Sequence, residues 1–170
     1  MIAIVCGLSE VERLIAERAP SHLVTLLDPS TLIDTPRGIA PERHFRLGVN
    51  DISEPMDGMV LADESAVAAL MEFAGTWDGA RPILIHCWAG VSRSTASAFA
   101  IACKRSPGVD ERRIALALRR AAPHACPNRR IVGLADHLLN RGGRMLAAVE
   151  AMGAYDDLSA APFDFPVRHA

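Results

Sequence analysis

The amino-acid sequence predicts an α/β fold in which a central, mostly parallel sheet is flanked by helices. Short apolar runs typical of buried strands alternate with segments whose apolar residues recur at helical spacing. In chain order the predicted elements are β-α-β-β-α-β followed by a cluster of helices, which favours a sheet covered on both faces. The 170-residue chain is half hydrophobic, enough to bury one core. We therefore predict a single domain over residues 1–152 and a C-terminal tail over 153–170.

The first half of the chain contains three predicted strands and two predicted helices. The strands span residues 2–6, 22–27 and 43–49. Ser9 and Glu12 have the spacing of a capping box, which predicts a helix that ends before Pro20. Asp63 is predicted to cap a second helix, whose inward positions are 67, 70, 71 and 74. Prolines and glycines predict loops over 28–42 and 50–63.

The second half contains one predicted strand and a series of helices. Residues 82–85 form a continuous apolar run that predicts a buried strand, and residues 94–104 are rich in small residues, which suits a buried helix. Asp110 and Pro127 are predicted to begin two further helices. Their predicted inward residues are Ile114, Ala117, Leu118 and Ala121 in the first, and Ile131, Leu134, Ala135 and Leu138 in the second. Residues 144–152 predict a last helix, and the chain from Gly153 onward has no period.

Nine residues between a predicted strand and a predicted helix, His86 to Ser94 (H-C-W-A-G-V-S-R-S), combine a cysteine, a glycine and an arginine. A strand–loop–helix junction directs the N–H groups of the loop and of the helix N-terminus into one concavity, which binds anions. The same field favours the thiolate of Cys87, the form that acts as a nucleophile. Arg93 can bind two phosphoryl oxygens as a planar fork. The stretch therefore predicts a nucleophile site that handles phosphate.

The pattern H-C-x-x-G-x-S-R-S resembles the signature loop of the cysteine-dependent protein tyrosine phosphatases, in particular the compact dual-specificity-like branch that includes bacterial-type tyrosine phosphatases. The arrangement of elements is similar to that branch over roughly residues 40–140. The resemblance implies a dual-specificity phosphatase-like fold and hydrolysis of phosphate esters through a phosphocysteine intermediate. It also implies that no metal and no cofactor takes part, and that a general-acid aspartate lies on a separate loop.

Each position of the signature stretch has a predicted role. Cys87 is the nucleophile, and Ser94 stabilises its thiolate as it leaves the intermediate. His86 ends the strand and is predicted to orient the loop from outside the pocket. The phosphate-binding positions are Trp88, Ala89, Gly90, Val91, Ser92 and Arg93. Trp88 either stacks on a substrate or packs under the loop, and the sequence leaves both interpretations open.

The leaving oxygen of a phosphate ester must be protonated as it departs, and Asp51 is the predicted general acid. It lies just after the predicted strand over 43–49 and 36 residues before Cys87, which matches the pattern of the compact phosphatases. Asp57 on the same loop is the alternative, whereas Asp63 is expected to cap a helix. Asn128 follows Pro127, a pair that is common in the compact branch, and is predicted to begin a helix rather than to contact the site.

Charge and cysteine content limit the partners of the protein. The net charge is −2, which argues against nucleic-acid binding, and no apolar run is long enough to cross a membrane. Seven acids and no Lys or Arg lie between residues 51 and 78, whereas ten bases and three acids lie between 104 and 144. The basic segment either steers anionic substrates or is a solvated surface. Cys6, Cys103 and Cys126 lack metal or redox spacing, which suits a reduced cytoplasm.

Three functions are consistent with these residues. The first is a metal-independent phosphomonoesterase that acts on phosphotyrosine in proteins, and on phosphoserine or phosphothreonine as well. The second is a phosphatase of small phosphorylated molecules such as inositol phosphates. Residues 88, 89 and 91 include no lysine to meet additional phosphates, which disfavours polyphosphorylated lipids. The third is a pseudophosphatase that binds phosphoproteins without turnover, and the intact Cys87, Arg93 and Ser94 argue against it. The sequence does not determine the oligomeric state.

Overall fold

A computed structural model describes residues 1–155 and 160–170, which form five strands and six helices. The strands are β1 (Ile2–Gly7), β2 (His22–Leu27), β3 (His44–Gly48), β4 (Ile83–Cys87) and β5 (Phe163–Pro166). The helices are α1 (Val11–Arg18), α2 (Glu64–Thr76), α3 (Arg93–Arg105), α4 (Glu111–Ala121), α5 (Arg129–Leu138) and α6 (Arg144–Glu150). None of these helices has the length and apolar character needed to span a bilayer.

The strands form one sheet in the order β3-β2-β4-β1-β5. The first four are mutually parallel, and β5 pairs antiparallel with β1 along one edge. Every residue of the central strand β4 is buried. The prediction of an α/β fold with a mostly parallel sheet is confirmed. Because the strands are parallel, the carboxyl ends of β2, β3 and β4 lie side by side at the same edge of the sheet, the usual position of ligand sites in such folds.

Helices cover both faces of the sheet, as predicted. On one face α1 packs Val11, Leu14 and Ile15 against alternate residues of β1, β2 and β4. The larger core lies on the other face beneath α2 to α6. Its centre is α3, in which every residue from Arg93 to Cys103 is buried. Small side chains allow this helix to approach the sheet and its neighbouring helices closely, so the N-terminus of α3 is held rigidly behind the loop that precedes it.

The structure corrects several local predictions. Ser9 does not form a capping box, because residues 8–10 make a 3₁₀ turn and α1 begins at Val11 without a side-chain cap. Asp63 and Asp110 do cap α2 and α4. In α4, Ala115 is buried whereas Ala117 and Ala121 are only partly buried. Leu134 and Leu138 of α5 are likewise only partly buried against the core.

The segment beyond Gly153 is not simply an extended tail, because residues 163–166 form β5. Its central contact is Phe165, which is fully buried and pairs in register with Ala3 of β1. A four-residue strand has too few residues to produce an alternating pattern in the sequence, and its partner β1 lies at the other end of the chain. Residues 156–159 of the predicted tail lie outside the described residues.

Candidate active site

The loop over residues 88–92 connects β4 to α3 and is held by its neighbours on both sides. Leu8 donates a backbone hydrogen bond to Trp88 over 3.0 Å, and Cys126 donates one to Val91 over 2.9 Å. Gly90 has a φ of +79°, and a Cβ there would lie 2.7 Å from the carbonyl carbon of Cys6. Only glycine satisfies both the left-handed backbone and this close approach. The loop therefore curls tightly over the end of β1.

The sulfur of Cys87 lies buried at the centre of this loop, with its side chain 2% exposed. The amide of Gly90 donates to Sγ over 3.3 Å, and Oγ of Ser94 lies 3.2 Å from it. Both groups can donate a hydrogen bond to a thiolate, and donors to an ionised group are the stronger kind. The structure thus brings Cys87, Gly90 and Ser94 together in an arrangement that stabilises negative charge on sulfur.

Arg93, the first residue of α3, is buried and held at one end of its guanidinium. Its Nη1 donates to Oδ1 of Asp28 over 2.9 Å and to the carbonyl oxygen of Val49 over 2.7 Å. Its Nε is buried without a hydrogen-bond partner among the described residues. The Nε–Nη2 edge is therefore the edge left to bind two oxygens of a phosphoryl group.

Asp28 was not predicted to belong to the site. It directly follows β2, whereas Asp51 is the third residue after β3, and both carboxylates line the same cavity as Cys87. The signal in the sequence was an aspartate immediately after a strand. An aspartate after a strand can be assigned to the site only when that strand is known to lie beside β4, which ends at Cys87. The sheet order establishes this for β2 and therefore for Asp28.

Asp51 lines the same cavity as Cys87 and Arg93, and its two carboxyl oxygens have different surroundings. Oδ1 accepts hydrogen bonds from Oγ of Ser92 over 2.7 Å and from Nδ2 of Asn128 over 2.8 Å. Oδ2 lies 4.0 Å from Nε of Arg93. Because two donors already occupy Oδ1, a proton on this carboxyl resides on Oδ2, the oxygen that faces the arginine.

The other two aspartates of the 50–63 loop have different positions. Asp57 is exposed and is not among the residues that line the cavity. Asp63 caps α2, where its side chain accepts a hydrogen bond from the amide of Ala66 over 2.8 Å. That bond, together with one from Ser65, lowers the pKa of Asp63. Asp51 is thus the one of these three aspartates that lines the same cavity as Cys87.

Asn128 contacts the site, which corrects the prediction that it only begins a helix. Its Oδ1 does accept the amide hydrogen of Ile131 over 3.1 Å and caps α5. Its Nδ2 donates to Asp51 and, over 3.3 Å, to the carbonyl of Ile52. The cap fixes the orientation of the side-chain amide, and this orientation directs the NH₂ group toward the loop that carries Asp51.

His86 lies behind the loop, where it forms part of a chain of hydrogen bonds. Its Nδ1 lies 3.2 Å from the carbonyl oxygen of Cys87, and its Nε2 lies 2.7 Å from Oγ1 of Thr25. The same Oγ1 lies 2.8 Å from Nε2 of His44, whose Nδ1 lies 3.0 Å from Oγ1 of Thr35. Burial lowers the pKa of both histidines to about 4.

The directions of these hydrogen bonds follow from neutral imidazoles. A carbonyl oxygen only accepts, so Nδ1 of His86 carries the proton and its Nε2 accepts from the Thr25 hydroxyl. Oγ1 of Thr25 then accepts from Nε2 of His44. Each hydroxyl and ring nitrogen in this chain of hydrogen bonds therefore has a defined role as donor or acceptor, and the chain ends on the backbone carbonyl of Cys87. His86 therefore supports the loop from outside the cavity.

The cavity in front of Cys87 has a volume of about 450 Å³. Its lining combines the polar groups Asp28, Asp51, Ser92 and Arg93 with the apolar side chains Ile52, Met59, Trp88 and Val91. Trp88 is 61% exposed, so the interpretation that it packs under the loop is wrong. Within residues 1–155 and 160–170, no three His, Cys, Asp or Glu side chains are grouped so that they could hold a metal ion.

No protein-family model matches the sequence, and a search of curated proteins finds no match. Solved structures do match. DUSP15 has a TM-score of 0.64 and 16% identity, with 87% of this chain and 88% of that chain covered. Human DUSP28 has a TM-score of 0.57 and 19% identity, with 81% and 91% covered. The fold is that of the compact dual-specificity phosphatases. PTPMT1 in complex with PI(5)P has a TM-score of 0.56 and 14% identity, with 88% and 91% covered.

These likenesses confirm the predicted dual-specificity phosphatase-like fold. It extends beyond the residues 40–140 for which the sequence suggested it, since the match to DUSP15 covers 87% of the chain. At these identities the likeness establishes the architecture. The chemistry of the site is therefore argued from the residues that line it.

Proposed function

We propose that this protein is a metal-independent phosphomonoesterase that hydrolyses phosphotyrosine in proteins, with phosphoserine and phosphothreonine as further substrates, through a phosphocysteine intermediate. The observation that carries the proposal is the pairing of two groups in one cavity. Cys87 presents a sulfur with hydrogen-bond donors arranged around it, and Arg93 presents a buried Nε that has no partner among the described residues. A tetrahedral phosphoryl group satisfies both.

In the first step, the thiolate of Cys87 attacks phosphorus while the Nε–Nη2 edge of Arg93 binds two of the non-bridging oxygens. The sulfur–phosphorus bond forms as the bond to the leaving oxygen breaks. The leaving oxygen keeps the electron pair and takes the proton from Oδ2 of Asp51, which becomes a carboxylate. The hydrogen bonds from Ser92 and Asn128 to Oδ1 stabilise this carboxylate and keep it in place.

In the second step, water attacks phosphorus and transfers a proton to Asp51, which returns to its acid form. The sulfur–phosphorus bond breaks, inorganic phosphate leaves, and Cys87 departs as a thiolate. Ser94 and the amide of Gly90 stabilise that thiolate through the contacts described above. The two steps together consume one water and regenerate both groups.

The proposal is tested with Cys87→Ser and Arg93→Lys in parallel with the unmodified protein. Cys87→Ser should abolish phosphate release while phosphate or vanadate still binds, because the anion cradle remains. Arg93→Lys should lose most of the activity, since a single ammonium cannot reproduce the two parallel bonds. Steady-state turnover by Cys87→Ser would contradict the nucleophile assignment. Unchanged kcat/KM in Arg93→Lys would contradict the proposal that the Arg93 guanidinium binds two phosphoryl oxygens.

A second candidate is hydrolysis of small phosphorylated molecules. It is supported by PTPMT1, which has the same fold and is solved in complex with PI(5)P. The two candidates are distinguished by comparing kcat/KM for phosphopeptides, inositol phosphates and a generic aryl phosphate. Binding of phosphopeptides without any turnover would instead identify a pseudophosphatase.

We also propose a reducing, cytoplasmic location. A nucleophilic thiolate requires Cys87 to remain reduced, and Cys6, Cys87, Cys103 and Cys126 are all free. Recovery of the protein from a membrane or secreted fraction would contradict this proposal.

A further inference from the structure

Helix α4 presents positive charge to solvent. Arg112, Arg113 and Arg120 are exposed, and none of the three forms an ion pair with any residue in the ranges 1–155 and 160–170. Arg119 is half-buried and donates instead to backbone carbonyls at the end of the helix. The exposed guanidinium groups are therefore available to a partner outside the described chain.

The acids nearest to this row of arginines are already engaged. Glu111 is buried, and its carboxylate binds Arg141 over 3.0 Å and Arg144 over 3.1 Å. Asp110 caps the helix, where its side chain accepts a hydrogen bond from the amide of Arg112 over 2.7 Å. Neither acid lines the cavity that lies beside the helix. The positive charge of α4 is thus left without a compensating carboxylate on that side.

A cavity of about 350 Å³ lies between α4 and residues 167–170, and two of the arginines line it. Arg113 and Arg120 are seven positions apart, so they project from the same face of the helix two turns from each other, about 10 Å along its axis. Leu116, which is 38% exposed, and Ala117 line the cavity between them. Arg112 is not among the lining residues. The cavity thus combines an apolar surface with a cation near each end.

His169 lines the opposite side of the cavity and is held in place by the core. Its amide donates to Oγ of Ser106 over 3.0 Å, and its ring lies 5.5 Å from the ring of the fully buried Phe165. Burial lowers the pKa of His169, and the nearby charge of Arg113 lowers it further. Its Nε2 is buried without a hydrogen-bond partner among the described residues. A buried polar atom of this kind is ordinarily satisfied, and a bound ligand would satisfy it.

We propose that this cavity is a docking site for an acidic peptide segment of a partner protein, with carboxylates at Arg113 and Arg120 and an apolar side chain on Leu116. Guanidinium groups pair with carboxylates through two parallel hydrogen bonds. An extended peptide rises about 3.3 Å per residue, so about three residues span the distance between the two arginines. The site is separate from the candidate active site, because the two cavities have no lining residue in common.

Other anionic partners fit the cavity less well. A helix that lies on a bilayer needs a broad apolar face, and Leu116 is the one large hydrophobic side chain exposed among the described residues of α4. A nucleic-acid backbone offers no apolar side chain to Leu116, and the net charge of −2 disfavours it further. A peptide backbone carries both N–H and C=O groups, so it can pair with Nε2 of His169 in either tautomer. These observations favour a peptide.

The test measures binding of a fluorescein-labelled peptide of glutamates with a central leucine, by fluorescence anisotropy. A second peptide has glutamine in place of each glutamate, and vesicles that contain phosphatidylserine provide the competing arm. The proteins are the unmodified chain, Arg113→Gln, Arg120→Gln, the double variant and Leu116→Ala. Arg112→Gln is the matched control, because it removes the same charge from the same helix at a position outside the cavity.

Arg113→Gln and Arg120→Gln should each raise Kd by about threefold, as expected for the loss of one exposed ion pair, and the double variant by about tenfold. Leu116→Ala should raise Kd by about threefold through lost apolar contact. Arg112→Gln should change Kd less than about 1.5-fold, and the glutamine peptide should bind at least about tenfold more weakly. Amide chemical shifts should change over residues 109–120 and 167–170 when the glutamate peptide is added.

No binding of the glutamate peptide would overturn the inference. An equal loss of affinity in Arg112→Gln would do so as well, because it would indicate attraction to the overall charge of the helix rather than to the cavity. Chemical shift changes confined to residues 88–93 would place the peptide at the candidate active site instead. Vesicle binding that exceeds peptide binding, and that falls in the double variant, would identify a membrane surface as the partner.

Discussion

In the proposed mechanism Asp51 protonates the leaving group, and Asp51→Asn should remove that proton while the rest of the site stays nearly unchanged. The amide oxygen of asparagine can still accept the hydrogen bonds from Ser92 and Asn128, whose lengths are 2.7 and 2.8 Å. The amide nitrogen then replaces Oδ2, 4.0 Å from Nε of Arg93 in the native site. The substitution therefore tests proton transfer and not the position of the loop.

The expected loss depends on the leaving group. General acid catalysis contributes about 10² to 10⁴ in rate, equivalent to about 3–5 kcal/mol of transition-state stabilisation. A seryl alkoxide is strongly basic and needs that proton, so phosphoserine hydrolysis should lose nearly the full factor. An activated aryl oxide such as p-nitrophenolate departs without it and should be slowed much less.

The assay is kcat for phosphoserine, phosphotyrosine and p-nitrophenyl phosphate, each measured across pH. In the unmodified chain, kcat should fall at high pH as the acid loses its proton, and Asp51→Asn should lack that basic limb. Pre-steady-state kinetics add a second measurement, because slower protonation of the leaving group slows formation of the phosphocysteine on Cys87.

Two control variants separate the acid from its surroundings. Asp57→Asn should leave the leaving-group dependence unaltered, since Asp57 is not among the residues that line the cavity. Asn128→Ala removes the hydrogen bond to the Asp51 carboxyl, which is worth about 1.5–3 kcal/mol, together with the bond to the Ile52 carbonyl and the cap on Ile131. It should lower kcat by about ten- to a hundredfold while the basic limb of the profile persists.

A leaving-group dependence that appears in Asp57→Asn and not in Asp51→Asn would refute the assignment. Equal losses on alkyl and aryl phosphates in Asp51→Asn would refute it as well, because such losses would indicate damage to the loop. In either case the hydrogen bonds from Ser92 and Asn128 to Oδ1 of Asp51 would serve only to hold the 50–63 loop in place.

Three further predictions follow. Gly90→Ala should destabilise the fold by at least about 2 kcal/mol and lower Tm by about 5 °C, because a Cβ would lie 2.7 Å from Cys6; an unchanged melting curve would contradict this. Burial lowers the pKa of His86 from 6.5 to about 4, so between these two pH values the unfolded chain binds more protons than the folded protein. The free energy of unfolding should therefore fall by about 2 kcal/mol as the pH is lowered from 7 to 5. Urea unfolding should show this loss in the native chain and a smaller one in His86→Gln. Equal dependence of the free energy of unfolding on pH in the two proteins would refute the prediction. Activity should survive excess chelator, and vanadate should inhibit competitively; loss of activity on chelation that a divalent metal restores would contradict the mechanism.

The sequence by itself determined the features that depend on contiguous residues. The nine residues from His86 to Ser94 contain Cys87, the glycine turn and Arg93, and their order along the chain was enough to predict the strand–loop–helix junction that the structure shows. Helical spacing of apolar residues, together with the caps at Asp63 and Asp110, was likewise enough to locate α2 and α4. Both kinds of pattern involve residues that lie close together in the sequence. The capping box predicted at Ser9 is absent because residues 8–10 form a 3₁₀ turn and α1 begins only at Val11.

Only the tertiary structure decided which distant residues complete the site. Asp28 holds Arg93 from 65 residues away, and Asn128 holds Asp51 from 77 residues away. These contacts exist because the parallel order of β2, β3 and β4 brings their carboxyl ends to one edge and α5 begins beside it. Strand order is set by how the whole core packs, so no local pattern in the sequence encodes which aspartate binds Arg93 and which one Asn128 binds.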